Sequence, residues 1–213
     1  MAEKSAREQG MREESEGGAC QPLLGDSAGR KGTYLVLLVY CGLGALLMAD
    51  YVWGIATLVK RYQTFRVLWG HMSKPSLNWL RYTYYASMGL AAVGYFPSLA
   101  HMLAVAPTLP RSVVNRVCGF FAVFFFTELF WLPMCVSYLE KPNETLFLCI
   151  RFQLACSGLS AIAWAYSVLT IPSSAVEVSG RALQLASFAG TFYFAFHCAV
   201  LDGIIWPPMF HKA

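Results

Sequence analysis

Five stretches of this chain run apolar for longer than a water-soluble fold can accommodate. They cover about 33–58, 82–106, 114–139, 144–170 and 181–206. Each exceeds the ~18 residues needed to cross a bilayer as a helix. Only 13% of the residues are charged, against about 25% in a typical soluble domain. Lipid offers the backbone no hydrogen-bond partners, so a spanning segment must be a helix or part of a closed barrel. Barrel strands alternate polar and apolar residues, and these runs do not. The expectation is an all-α integral membrane protein, a compact bundle of about five transmembrane helices.

The breaks between the runs are polar or rich in turn formers. Pro107–Arg111 holds two prolines, "EKPNE" is a tight polar turn, and "IPSSAVEVSGR" mixes Pro, Ser and Gly. The longest break, Lys60–Arg81, carries Phe65, Leu68, Trp69 and Met72 at i, i+3, i+4 and i+7. That spacing predicts a short amphipathic helix lying at the membrane interface. Pro97 and Pro133 fall inside runs two and three and predict kinks. No internal repeat is visible, and five spans do not divide into inverted halves as many transporters do.

Residues 1–32 are polar and read as a disordered N-terminal tail, leaving 33–213 as the transmembrane domain. The tail is too acidic for a mitochondrial transit peptide, so an endomembrane or the plasma membrane is favoured. Its "EESEGGACQPLLGD" resembles acidic dileucine sorting signals, although Ala19 stands where the acid belongs. The positive-inside rule places the C-terminus in the cytosol by a narrow margin. The sequon at Asn143-Glu144-Thr145 favours the reverse.

Several function classes are excluded or weakened. The net charge of +4 sits mostly in the loops and implies no nucleic-acid partner. The seven cysteines form no CxxC pair and read as small apolar fillers. No cofactor motif or metal-ligand set is present. The expected partners are membrane lipids and, in a scaffolding role, another membrane protein.

What remains is a set of ionisable side chains inside the apolar runs, where they are costly and functional by default. At about 1.5 Å rise per residue, depth can be counted from the C-terminal side. Asp50 then lies roughly 13 Å in, Glu128 about 16 Å, Arg151 about 10 Å, His197 about 13 Å and Asp202 about 6 Å. Four helices thus bring polar groups toward one stratum. Runs three and four join through a short turn and should be antiparallel neighbours, which suggests an Arg151–Glu128 ion pair. Arg151 aligns with Ala155 and Gly158, His197 with Ala186, Gly190 and Tyr193, and Asp50 with Gly42 and Gly54. Small residues mark where helices approach closely in lipid.

Three carboxyl groups against one arginine leave an acidic surplus. The expected function is non-enzymatic: binding or passing a small cationic or lipid-like ligand, or a proton, or scaffolding a complex. The alternative is an enzyme acting on a lipid or sterol-like substrate, with histidine and carboxylate as acid and base.

Overall fold

The computed structural model describes residues 23–172 and 175–211, and among them every regular element is helical. Five rods are long and apolar enough to cross a membrane: α1 (Gly29–Tyr62), α2 (Pro75–Val105), α3 (Arg111–Glu140), α4 (Glu144–Leu169) and α5 (Arg181–Phe210). The rods form a ring in which α1 packs on α3, α3 on α4, α4 on α5 and α5 on α2. The ring is loosest between α2 and the Gly44–Tyr62 half of α1.

Helix boundaries follow local chemistry. Asn143 caps α4, its Oδ1 accepting from the Leu146 amide at 2.8 Å. The sequon asparagine is therefore already engaged in closing a helix end. Gly180, at φ 80°, turns the chain into α5. Helices α2 and α3 each run through their internal proline without a break. The helical backbone that runs on into α1 begins at Leu23, and the apolar rod itself at Gly29, both before the expected start at Thr33. The acidic part of the dileucine-like stretch lies outside the described residues.

Close approach fixes two of the crossings. A Cβ on Gly94 would sit 2.8 Å from the Gly190 Cα, so α2 and α5 touch backbone to backbone. A Cβ on Gly158 would sit 2.8 Å from the Ala199 Cα, with the same meaning for α4 and α5. These are contacts that only the smallest residue permits. Gly54 admits the Leu132 side chain between α1 and α3, whereas Gly42 is exposed.

The interior is two apolar clusters stacked along the bundle. One gathers Tyr40, Phe121, Phe125 and Trp164, with Phe121 stacked on Trp164 at 4.0 Å. The other gathers Leu58, Leu132, Ile150, Trp206 and Phe210. The break between α1 and α2 closes this second end. It forms a short 3-10 segment, Phe65–Ser73, kinked at Gly70 (φ 47°), and α2 itself opens on a 3-10 turn, Pro75–Leu77. Leu68, Trp69 and Met72 are buried against the bundle, and Trp206 donates to the Leu68 carbonyl at 3.0 Å. The expected interfacial α-helix is therefore corrected. Three of the four spaced residues form a buried face, while Phe65 is exposed; that face caps the helices, and the backbone at Gly70 departs from helical geometry.

Candidate functional site

Between the two clusters lies a polar layer. On α3, Glu128 sits between Phe125 of the first cluster and Leu132 of the second. On α4, Ser157 sits between Leu154 and Ala161. On α1, Asp50 and Tyr51 fall between Tyr40 and Leu58, and on α5 Asp202 falls between Cys198 and Trp206. Polar side chains from separate helices therefore meet where the two apolar clusters end.

Glu128 is the buried centre, 6% exposed. Its Oε1 accepts from the Ser157 hydroxyl across the α3–α4 contact. Its Oε2 accepts from the Tyr51 hydroxyl at 3.4 Å, a long bond from α1. Both donors are neutral. Gln153 stands beside the same carboxyl, yet neither of its amide atoms has a hydrogen-bond partner of acceptable geometry. The Tyr51 hydroxyl lies within electrostatic range of Glu128, Asp202 and Asp50 together. Asp50 is half-buried, with its Oδ2 enclosed and unpartnered. The Trp131 ring packs 5.9 Å from that of Tyr51 and forms an aromatic wall beside the carboxyl groups.

His197 anchors the α5 side of the layer. Its Nδ1 lies 2.8 Å from the Ser87 hydroxyl of α2, which in turn lies 2.9 Å from the Tyr193 hydroxyl. Its Nε2 lies 3.4 Å from Asp202 Oδ2. Backbone geometry makes the last contact possible. In an α-helix residues five apart are rotated by about 140°. His197–Ile205 is π-helical instead, with hydrogen bonds to the fifth residue along. That repeat returns Asp202 to the face of His197. A neutral imidazole with its proton on Nε2 donates to Asp202 and accepts from Ser87, whose oxygen accepts from Tyr193. Every group in the chain is then satisfied.

No protein family, characterised protein or solved structure matches the chain. The reading of the layer rests on its own chemistry.

Of the five residues singled out from sequence, the layer brings together Asp50, Glu128, His197 and Asp202. Arg151 is not among them. It is exposed on the outer face of α4, and the Glu128 carboxyl is taken by Ser157 and Tyr51. The expected Arg151–Glu128 pair is therefore corrected. The physical reason is position on the helix. Ser157, thirteen residues after Glu144, matches the depth of Glu128, twelve before Glu140. Arg151 is a turn and a half short of that level and about 120° away around α4.

Four contributors were missed: Ser157, Tyr51, Ser87 and Gln153. None is ionisable at neutral pH, and single hydroxyl or amide side chains in apolar runs carry little signal in one sequence. Depth counting on α4 would have found Ser157. Among the described residues, no group of three or more His, Cys, Asp or Glu stands close enough to hold a metal ion.

Proposed function

We propose that this is a multi-pass membrane protein that binds a small organic cation, or carries a proton, at the carboxyl layer formed by Asp50, Glu128 and Asp202. The observation that carries this reading is the grouping of three carboxyl groups from three helices around Tyr51, where their described partners are hydroxyls and one histidine. Three such groups cannot all be ionised in an apolar interior without protons or a cation among them. Among the described residues no three His, Cys, Asp or Glu side chains stand close enough to share a metal ion, which favours a larger organic cation. Asp202 is 31% exposed and Asp50 is half-buried, so a ligand meets these two before Glu128. The rings of Tyr51 and Trp131 offer the electron-rich faces that cations favour.

The test uses dimethyldodecylamine and its uncharged counterpart, dodecyl methyl ether, added to the purified protein in nanodiscs. The amine is expected to raise the melting temperature while the ether does not, and the Asp202→Asn and Glu128→Gln variants should lose the effect. Equal responses to both compounds, or an amine effect untouched by either variant, would reject the reading.

A second reading is favoured by one observation, the line Ser87–His197–Asp202. A hydroxyl, an imidazole and a carboxyl in that order are the parts of a hydrolytic triad, here with the two ring nitrogens exchanged, Nδ1 facing the serine and Nε2 the carboxyl. Ser87 is only 4% exposed and shares its oxygen with Tyr193, which suits a clamp between α2 and α5 better than a nucleophile. A fluorophosphonate probe separates the two. Labelling that disappears in Ser87→Ala would establish the enzyme, and no labelling would leave the clamp.

A further inference from the structure

Arg81 is the anomaly of the bundle's capped end. It lies in the first α-helical turn of α2, which opens at Asn78, and is only 4% exposed. Its Nη2 donates to Asn78 Oδ1 at 2.8 Å, and its Nη1 is buried without a partner. Asn78 is neutral, and no carboxylate pairs with the guanidinium among the described residues. A buried cation without a counter-ion is among the costliest groups a fold can hold. Trp69 of the linker repeats the pattern. It is buried, its Nε1 has no partner, and its ring packs 5.5 Å from that of Tyr84 and 5.1 Å from that of Tyr85. Both tyrosines lie one turn along α2 from Arg81. Guanidinium and indole are donors only. What this seam lacks is an acceptor, and beside an arginine the acceptor that fits is an anion.

The helix end points the same way. The α-helical part of α2 runs 28 residues from Asn78, has no side-chain cap and carries no acid in its first turn. Such a terminus favours negative charge. The bond to Asn78 turns the guanidinium back toward this end, so cation and helix terminus address one place. Depth decides the kind of anion. Trp79 and Tyr82 are exposed, as aromatic residues at headgroup level are. The Arg81 Cζ lies 5.6 Å from the centre of the Tyr82 ring. The guanidinium therefore sits close to the outer edge of the bundle, at the level of lipid phosphates.

We propose that the seam between the linker and the start of α2 is a site for the phosphate of an anionic phospholipid, bound by Arg81. A planar guanidinium holds phosphate through parallel N–H bonds. The acyl chains stay in the bilayer beside Trp79 and Tyr82. Basic pockets at the ends of membrane helices recognise anionic headgroups by this chemistry. The enclosure of Arg81 makes the lipid a retained one, held more tightly than lipids that surface lysines attract. The site lies apart from the carboxyl layer and does not depend on the cation proposed for it.

The experiment uses the full chain in nanodiscs of phosphatidylcholine with an equal share of phosphatidylglycerol. Native mass spectrometry of the released protein reads the retained lipid. One phosphatidylglycerol per chain is expected, in preference to phosphatidylcholine and still present after washing in 1 M salt, which screens surface charge but not a buried pair. Arg81→Gln should lower its retention about ten-fold or more, the loss of one charge-assisted hydrogen bond. Lys141→Gln, an exposed lysine on the same side of the bundle, and Asp202→Asn, in the carboxyl layer, should leave it unchanged. A second measurement needs no variant: the parent protein should melt higher in phosphatidylglycerol than in phosphatidylcholine nanodiscs. Inorganic phosphate added to the phosphatidylcholine sample should not reproduce that rise. Equal retention of the two lipids, loss of both in salt, or retention untouched by Arg81→Gln would overturn the inference. A rise with inorganic phosphate equal to that with phosphatidylglycerol would give the site to a soluble anion and overturn the lipid assignment.

Discussion

The Ser157 hydroxyl donates to the Glu128 carboxyl across the contact between α3 and α4. This one bond explains how a carboxyl group survives among phenylalanines: a hydroxyl at the same depth on the next helix meets it. Ser157→Ala removes the donor and leaves the acceptor buried. It should cost about 1–3 kcal/mol. Arg151→Ala, on the exposed face, should stay within about 0.5 kcal/mol of the parent, and Glu128→Gln, which keeps shape and a hydrogen-bonding group, should fall between them. Thermal melts in detergent measure the order.

The Gly94–Gly190 crossing should tolerate no side chain. A Cβ on Gly190 would lie 2.2 Å from the Gly94 carbonyl oxygen, and both partners are backbone. Gly190→Ala must push α2 and α5 apart, at about 1–3 kcal/mol. Gly89, also on α2, has open space where its Cβ would go, so Gly89→Ala should leave the melting temperature unchanged or slightly raised.

Tyr40 should behave as a buried junction. Its hydroxyl accepts from Trp164 Nε1 at 2.9 Å and lies 3.3 Å from the Ser98 hydroxyl. Tyr40→Phe keeps the ring packed on Phe121 but leaves the indole N–H without its acceptor. A loss of about 1–3 kcal/mol is expected, whereas Ser98→Ala should cost less because the indole bond remains. Comparing the two melting temperatures checks this.

The cap formed by the α1–α2 connection should loosen when its hydrogen bond to α5 is cut. Trp206→Phe keeps much of the ring volume and removes the donor to Leu68. Hydrogen exchange over residues 65–73 should rise while the interior of α3 stays protected.

These residues also show what one sequence makes legible. Span lengths, and the breaks at Pro107–Arg111 and "EKPNE", come from local hydropathy and turn chemistry, so they could be read directly. Depth could be counted as well, because helical rise is constant. Counting placed Asp50, Glu128 and His197 between what proved to be two apolar clusters. Rotation about each helix axis was not legible. Which face of α4 meets α3 depends on packing, and the depth count was too coarse on that helix: Arg151 lies on another face and a turn and a half short of Glu128, so the two do not meet. The π-helical turn at His197–Ile205 was hidden for a related reason: nothing in "HCAVLDGII" announces the extra residue per turn that puts Asp202 under His197. In the linker, the apolar spacing identified Leu68, Trp69 and Met72 as buried but not Phe65, which is exposed, and Gly70 interrupts the helical backbone there.

On the proposed function, the carboxyl layer of Asp50, Glu128 and Asp202 takes up positive charge from a bound organic cation. Infrared difference spectroscopy of the protein in nanodiscs, recorded as dimethyldodecylamine is added, reads this directly in the carboxyl C=O stretch. The predicted result is loss of a protonated-carboxyl band as the amine binds and replaces the proton, with the change absent from the Glu128→Gln, Asp202→Asn double variant. A spectrum with no carboxyl change at saturating amine, or the same change in the double variant, would contradict it.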